Sequence, residues 1–247
     1  MYKTIVIHQP NFLPRMKVFI KLAVSDIWVI YDDVQYVRRE WQNRVYFRDS
    51  EQRSILFTAP IKKADFSEKI NNIKLIDSSL LNERLYRHFK CNYSAAPYYR
   101  WGLEYLAIVE RETVDISDLS KYNVICTNIA FKFLGIKIEE SFSSQLCVSS
   151  TDRNGKLVEL CQKSNSKYYI CGSGGKTYID ESTFKRAGIN IIYYDYSKIH
   201  QSDSYKLNYY RDHSFLDFVA YNGPDALYNL IIKEKHNQIS QCKGFQN

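Results

Sequence analysis

Residues 4–31, TIVIHQPNFLPRMKVFIKLAVSDIWVIY, decide the fold class of this chain. Thr4–Ile7 is short and apolar, which predicts a buried strand that ends at the polar loop 8–14. A helix to about Val24 is predicted next, because apolar residues recur there at helical spacing and Pro14 is tolerated in a first turn. Ile27–Tyr31 is a second apolar run. Strand, helix and strand within about 30 residues predict a βαβ unit with parallel strands.

The same order of elements returns toward the other end of the chain. A helix is predicted over about 153–164, then a strand over 167–171, and then a short helix from the N-cap Asp180 to Ala187. Gly188 ends that helix, and a further strand follows over 189–193. The fold class predicted is therefore α/β, with a mainly parallel Rossmann-like sheet built from both chain ends.

The middle of the chain follows a different pattern. Residues 43–48 and 54–60 alternate in polarity, which predicts a β-hairpin over 43–60. From about 75 to 135 the apolar residues recur at helical spacing, which predicts a helical insertion. A last helix is expected at about 224–235. The length fits a single α/β domain over 1–247 that carries the hairpin and the insertion.

Composition excludes several classes of protein. The 247 residues are 45% hydrophobic and 25% charged, which is ordinary for a globular chain and rules out disorder. No apolar run reaches the ~18–20 residues that span a bilayer, and the N-terminus has no signal-peptide pattern. The six cysteines form no CxxC pair, so reduced thiols in a cytoplasmic protein are expected. The five histidines are dispersed, so no metal site is expected.

Two biases of composition bear on the ligand. Aromatic residues make up 15% of the chain, and the formal net charge is +7, which suggests an anionic partner. Aromatic and basic residues together also occur in proteins that bind single-stranded nucleic acid. The basic residues here form no recognisable RNA- or DNA-binding motif, so nucleic acid is not expected as a partner.

Polar residues follow both strands of the N-terminal unit at their carboxyl ends. After the first strand come His8 and Gln9, and after the second come Asp32, Asp33, Gln35 and Tyr36. Ligands of open parallel sheets bind outside the carboxyl ends of the strands, so both groups are expected to face one crevice. His8 exchanges a proton near neutral pH, and an adjacent carboxylate would fix its tautomer and raise its basicity. The alternative is that His8 caps the helix or binds a loop carbonyl.

Two further segments carry cations. Arg38 and Arg39 are consistent with a solvated face, whereas Arg44, beside Asn43 at a strand start and close to Trp41, is a candidate for a contact with phosphate or carboxylate.

The segment 172–176 is a glycine-rich turn that ends in Lys176. Its amides could cradle an anion, although its spacing matches neither a P-loop nor GxGxxG and a simple turn is the alternative. Cys171, just before this turn, is a candidate nucleophile.

These residues together resemble the WbqC-like family. The N-terminal resemblance is carried by His8-Gln-Pro-Asn-Phe-Leu-Pro14, Ser25-Asp26, Asp32-Asp-Val-Gln-Tyr36 and Trp41-Gln-Asn-Arg44. It continues in Ala59-Pro60, Tyr93, Pro97-Tyr98, Ser143-Ser144, Tyr169-Ile-Cys-Gly-Ser-Gly-Gly-Lys-Thr-Tyr178, Gly188-Ile189, His213-Ser-Phe-Leu-Asp217 and Asn222-Gly223. The chain departs from the family pattern at Cys171, where a smaller residue is expected, and at Tyr205-Lys-Leu207, where the pattern has Tyr-x-Gln.

The resemblance implies an enzyme of bacterial surface-polysaccharide (O-antigen, lipopolysaccharide) biosynthesis that transfers glycine or a similar small acyl group to the amino group of a nucleotide-linked sugar. No permanently bound cofactor is expected; the co-substrate would be an activated acyl donor, either coenzyme A or the thioester of an acyl carrier protein. In this scheme His8 is the general base, Asp32 or Asp33 orients it, and Asn43 or Arg44 stabilises the oxyanion. The substrate-binding residues expected are Gln9, Gln35, Tyr36, Trp41, Gly172, Gly174, Gly175, Lys176 and Asp217.

Two other functions stay open on the sequence alone. The first is an ATP-dependent amide ligase on the same amino sugar, because strand, His loop, helix and strand resemble nucleotidyl-transferring Rossmann-like enzymes. The second His of their HxGH loop is missing here. The other is a non-catalytic carbohydrate-binding protein of the pathway, which would stack sugars on its aromatic residues and need no base. The oligomeric state is not readable from the sequence.

Overall fold

A five-stranded sheet lies at the centre of the computed structural model, which describes residues 3–65, 67–200 and 210–244. The strands are β1 (Thr4–His8), β2 (Ile27–Ile30), β3 (Arg44–Arg48), β4 (Ser54–Thr58), β5 (Glu139–Phe142), β6 (Tyr168–Gly172) and β7 (Asn190–Tyr194). The sheet order is β5-β2-β1-β6-β7 and every neighbouring pair is parallel, whereas β3 and β4 form a separate antiparallel hairpin. The predicted fold class, with a sheet from both chain ends, is confirmed.

The order of the strands fixes where the sheet changes direction. The chain steps from β1 to β2 and β5 on one side, and later to β6 and β7 on the other, so the switch point lies between β1 and β6. Thr4 pairs with Tyr168, and this register places His8 level with Gly172, which in turn pairs with Tyr194. Three strands therefore end side by side at the edge where such folds open a crevice.

Helices cover both faces of the sheet. They are α1 (Met16–Ala23), α2 (Ser78–Asn92), α3 (Tyr99–Thr113), α4 (Leu119–Phe133), α5 (Arg153–Lys163), α6 (Glu181–Arg186), α7 (Tyr196–His200), α8 (Phe215–Asn222) and α9 (Pro224–Gly244). The N-caps Asp77, Asp118 and Asp152 accept hydrogen bonds from the first-turn amides of α2, α4 and α5. The predicted cap Asp180 does the same for α6, and Gly188 ends that helix with φ +70°.

The apolar side chains form one core on each face of the sheet, because alternate residues of a strand point to opposite sides. Val6 and Trp28 belong to the larger core, which includes α1, the hairpin, α2–α4 and the C-terminal helices. Ile5 and Val29 belong to the smaller core, which includes α5 and α6. Burial on both faces explains why β1 and β2 are continuously apolar in sequence.

The structure differs from the sequence prediction at several places. Helix α1 begins at Met16 and not at Pro14, since Leu13 has φ 38° and Arg15 is held extended in a bridge to Ser214. Strand β5 and helix α8 were not predicted, and α9 runs on to Gly244. The departure at 205–207 lies outside the described residues. Within the described ranges, no helix combines the length and the apolarity that a bilayer span requires.

Candidate active site

Two cavities open at the carboxyl edge of the sheet and meet at His8. One has a volume of about 540 Å³ and extends from His8 across the ends of β6 and β7; we call it the Lys21 cavity. The other, of about 590 Å³, extends from His8 to the end of β2, and we call it the Tyr31 cavity. Both are lined by His8 and Tyr178. A ligand in each cavity would therefore meet the other at His8.

The backbone and side chain of His8 are fixed by hydrogen bonds. Its carbonyl oxygen accepts from Trp28 Nε1 at 3.1 Å and from the amide of Tyr31 at 3.0 Å. Its ring nitrogen Nδ1 lies 2.8 Å from the carbonyl oxygen of Gln9. Because a carbonyl only accepts, Nδ1 carries the hydrogen and Nε2 of the neutral ring keeps a lone pair. The alternative that His8 binds a loop carbonyl is correct for Nδ1, and it leaves Nε2 available as a base.

The surroundings of His8 keep its ring neutral. Burial, with the positive charges of Lys21 and Arg15, holds the pKa of His8 well below its usual range. The hydrogen bond to Gln9 opposes this shift but is outweighed. At neutral pH His8 is therefore in the form that accepts a proton.

The aspartates do not orient His8, contrary to the sequence prediction. The buried carboxylate of Asp32 accepts from Ser143 Oγ at 3.1 Å and from Ser144 Oγ at 2.9 Å. The Asp33 carboxylate accepts from Ser143 and, at 2.7 Å, from Lys156. Burial raises the pKa of Asp33, but the bonds from Lys156 and Ser143 outweigh it and hold that pKa below its usual value. Both carboxylates fasten the loop after β2 to segments more than 100 residues away.

The hairpin residues predicted to act on the oxyanion do not line either cavity. The buried Asn43 side chain accepts from Tyr36 Oη at 3.0 Å and donates to the carbonyl oxygen of Ala59 at 3.0 Å. The Arg44 guanidinium lies 5.9 Å from the Trp41 ring centroid, and Arg15 lies over the same ring at 3.9 Å. These contacts therefore hold the segment between β2 and β3 against the hairpin and against Arg15.

Of three further polar residues predicted to bind substrate, two line a cavity and one lies on the surface. Gln9 and Gln35 line the Tyr31 cavity, as expected. The exposed Lys176 extends over the ring of Tyr193, at 5.1 Å from its centroid, and does not line the Lys21 cavity. Lys176, the cation predicted to act with the glycine turn, thus lies outside both cavities.

Asp217 lies in a buried cluster of hydrogen-bonded side chains and lines neither cavity. It is completely buried, and its Oδ1 accepts from Arg48 Nε at 3.0 Å and from Tyr93 Oη. Arg48 also donates to Tyr210 and stacks on Tyr221, with the guanidinium 3.7 Å from the ring centroid. Substrate has no access to this carboxylate, so its predicted role in substrate binding is replaced by a role in packing.

The glycine turn forms the floor of the Lys21 cavity. Gly172, Gly174 and Gly175 all line it, together with Cys171. A Cβ on Gly175 would lie 2.1 Å from Cys171 Sγ, whereas a Cβ on Gly174 would meet nothing within 4 Å. Gly175 is thus required for packing on the sulfur. Burial raises the pKa of the Cys171 thiol, with only a partial offset from Lys21, which disfavours a thiolate nucleophile.

The sequence analysis missed the cations of the Lys21 cavity, two of which, Lys17 and Lys21, lie on helix α1. Among the described residues that line the Lys21 cavity, the cationic ones are Arg15, Lys17, Lys21 and Arg211, and the acidic one is Asp195. Lys17 and Lys21 are four residues apart on one helix face, a pattern that normally marks a solvated surface. The signal that would have found them is their position on the helix that directly follows His8. Within the described ranges, no cluster of three or more His, Cys, Asp or Glu side chains is placed to hold a metal.

The strand order defines a doubly wound α/β protein. The Lys21 cavity opens at the switch point of its sheet, where such folds bind ligands. Residues 9–229 match the WbqC-like protein family, and the chain belongs to that family. The chain is also similar to the uncharacterized protein Rv1507c of Mycobacterium tuberculosis (strain ATCC 25618 / H37Rv). The two are 31% identical over 201 residues, which cover 78% of this chain and 83% of the relative. No solved structure matches the chain with significance.

Proposed function

We propose that this protein is an N-acyltransferase or aminoacyltransferase that transfers glycine or a similar small acyl group to the amino group of a nucleotide-linked amino sugar. The observation that carries the proposal is the neutral His8, which lines both cavities and whose Nε2 has no hydrogen-bond partner among the described residues. A transferase needs room for two substrates and one base between them. Membership of the WbqC-like family supports a role in the synthesis of bacterial surface polysaccharide (O-antigen).

The position of His8 supports the following reaction. The neutral sugar amine attacks the carbonyl carbon of the activated acyl group, and the bond from that carbon to its leaving group breaks. His8 Nε2 removes the proton from the attacking nitrogen and returns it to the leaving group. Backbone N–H groups at the start of the single-turn helix Ser173–Thr177 would stabilise the oxyanion in place of Asn43 and Arg44.

The donor is proposed to be a thioester of coenzyme A or of an acyl carrier protein. Such a donor is consumed as a co-substrate, so the protein needs no resident cofactor. These donors are made in the cytoplasm, which is where the proposed enzyme would act. The Tyr31 cavity, lined by Tyr31, Val34 and Val37, offers an apolar wall for the arm that carries the thioester.

The test is a mass-spectrometric assay of the full chain. Amino-sugar nucleotides are incubated with glycyl or acyl thioesters, with and without ATP, and the acylated sugar is sought by its mass. His8→Ala is expected to slow turnover by roughly 10²–10⁴-fold, the usual contribution of a general base. The control is His236→Ala, at an exposed position on α9. Full turnover by His8→Ala would refute the mechanism, and Cys171→Ser separates it from a covalent route that requires the thiol.

An ATP-dependent amide ligase is the second candidate, favoured by one observation. Numbered by their order along the chain, the five strands of the sheet run 3-2-1-4-5, the doubly wound order that binds nucleotides at its switch point. A ligase would form AMP from ATP when it is supplied with a free acid and the amino sugar, whereas the transferase ignores ATP. A non-catalytic carbohydrate-binding protein would show no turnover with any donor, and His8→Ala would retain its affinity for the sugar.

A further inference from the structure

Lys21 is a buried cation that has no counter-charge among the described residues. Its side chain lines the Lys21 cavity, and the residue is only 8% exposed. Among the described residues, none forms a hydrogen bond or an ion pair with its Nζ, and burial together with the charges of Cys171 and Arg15 accounts for its electrostatic surroundings. The neighbouring cations Arg15 and Lys17 share the carboxylate of Asp212, at 3.0 and 2.7 Å. A largely buried ammonium without a carboxylate partner is costly, and its position at the wall of a cavity is suited to an anionic ligand.

The groups around Lys21 leave room for that anion. Lys21 Nζ would lie 3.8 Å from a Cβ on Gly172, so the ammonium faces the start of the glycine turn. The acidic residue of the cavity, Asp195, accepts from the amide and hydroxyl of Ser197 at 3.0 and 2.6 Å, and so caps its own helix. Among the described residues, the other titratable groups that interact electrostatically with Lys21 are the Cys171 thiol, Arg15 and the neutral ring of His8. Burial lowers the pKa of Lys21 to about 8, which agrees with an ammonium that lacks a carboxylate.

We propose that the Lys21 cavity binds the diphosphate group of a substrate, with Lys21 as its main counter-charge. Arg15, Lys17 and Arg211 supply additional positive charge along the wall. A volume of about 540 Å³ lies in the range of small-molecule sites and admits a diphosphate with part of the group attached to it. The proposal goes beyond the sequence analysis, which placed the phosphate at Arg44 and Lys176.

The proposal also orients the reaction, and this step rests on the proposed function. If the diphosphate is that of a nucleotide-linked sugar, the sugar amine approaches His8 from the Lys21 cavity and the acyl group arrives from the Tyr31 cavity. Coenzyme A and ATP carry a diphosphate too, so the chemistry at Lys21 is shared by three sources. Of these, the nucleotide sugar is the one for which we expect the tightest binding.

Calorimetric titration of the full chain tests the subsite without any turnover. Inorganic pyrophosphate is titrated first, and then UDP, coenzyme A and ATP in separate experiments. Lys21→Met is expected to weaken pyrophosphate binding by about 10- to 100-fold, the worth of a hydrogen bond to a charged group. Lys132→Met, at an exposed position on α4, is the matched control and should bind as the wild type does. The fold of each variant is checked by urea denaturation.

Gly172→Ala is a second variant that keeps Lys21 in place. Gly172 has φ −66° and ψ 155°, which any residue adopts, and the added Cβ makes only an ordinary contact with Lys21 Nζ. The methyl group should narrow the approach to the ammonium and weaken pyrophosphate binding, by less than Lys21→Met does. Wild-type affinity in both variants, or no binding of pyrophosphate by the wild type, would overturn the subsite.

The two proposals fail in different ways. Binding of pyrophosphate that depends on Lys21, with no acyl transfer in the mass-spectrometric assay, would leave the subsite standing and remove the proposed function. Acyl transfer with no measurable effect of Lys21→Met on pyrophosphate binding would do the reverse. Tighter binding of coenzyme A than of UDP would assign the Lys21 cavity to the acyl donor and overturn the proposed orientation of the two substrates.

Discussion

Two buried cations of this chain, Arg48 and Lys21, differ in whether a carboxylate balances their charge. Arg48, the last residue of β3, is paired with the carboxylate of Asp217, donates to the hydroxyl of Tyr210 and stacks on the ring of Tyr221. Lys21 is almost as deeply buried, yet it lines a cavity, and among the described residues no carboxylate pairs with it. One charge is neutralised within the protein, and the other is held beside an open space.

The difference separates structural charge from functional charge. A buried ion pair is held in place by its own hydrogen bonds, and removal of one partner strands the other. A desolvated cation at a cavity wall destabilises the empty protein, so its retention points to something that binds there. By this criterion Asp217 is assigned to the scaffold and Lys21 to the proposed anion subsite. The predictions that follow test this division.

The largest effect is expected at the paired cluster. Asp217→Ala leaves Arg48 buried without a counter-charge, so the free energy of unfolding should fall by about 3–5 kcal/mol. Urea denaturation measures the change, with Asp115→Ala, at an exposed loop position, as the control. Unchanged stability together with a raised KM for the sugar would instead make Asp217 a substrate ligand, as the family resemblance implied, and the division would fail.

Lys21→Met should act in the opposite direction on stability. Folding lowers the pKa of Lys21 from 10.5 to about 8, so between these values the unfolded chain binds more protons than the folded one. The wild type should therefore gain stability relative to Lys21→Met as the pH rises through this window, by up to about 3 kcal/mol. Urea denaturation of both proteins at several pH values gives the difference. A constant difference would show that Lys21 has a counter-charge in solution.

Two neighbouring glycines of the glycine turn, Gly174 and Gly175, differ in the space beside their Cα atoms. Gly175→Ala should destabilise the protein by about 1–3 kcal/mol, because its Cβ would overlap Cys171 Sγ at 2.1 Å. Cys171→Ala in the same chain removes that overlap and should restore part of the loss. Gly174→Ala, which meets nothing within 4 Å, is the matched control. Equal losses at the two glycines, or no rescue, would contradict this account.

The fold was largely predictable because its main elements are set by local patterns. Apolar runs mark β1 and β2, and Gly188 marks the end of α6 at a positive φ. Strand β5, with the sequence EESF, was missed because its residues are partly or fully exposed and, within the described ranges, β2 is its one neighbour in the sheet. Helix α8 was missed because FLDFVAYN is buried nearly all round and shows no helical stripe.

The site was predictable in location but not in its contacts. Parallel strands bring His8 and the glycine turn to one edge, and this follows from the order of elements. The aspartates after β2 turn instead toward Ser143 and Lys156, partners more than 100 residues away that no local pattern reveals. Lys21 was missed because lysines four residues apart normally mark a solvated helix face; its place on the helix directly after His8 was the local signal, and the tertiary structure shows that this face meets a cavity.

The smallest effect is the influence of Lys21 on His8, and it tests whether the two act in one site. The pKa of His8 lies well below 6.5, so His8 destabilises the folded state as the pH falls below 6.5, where the unfolded chain takes up the proton first. Because Lys21 contributes to this shift, Lys21→Met should move the NMR titration midpoint of His8 upward. Burial is the larger cause, so the midpoint should stay below 6.5.

Lys17→Met is the control for that titration, because Lys17 is paired with Asp212 at 2.7 Å and should shift His8 less. The His8 signal is identified by its loss in His8→Ala. A midpoint above 6.5 in the wild type would mean that much of His8 is charged near neutral pH, and the sugar amine would then need another base. Equal shifts in the two lysine variants would mean that Lys21 affects His8 no more than Lys17 does. The proposal that the base and the anion subsite lie side by side would then be contradicted.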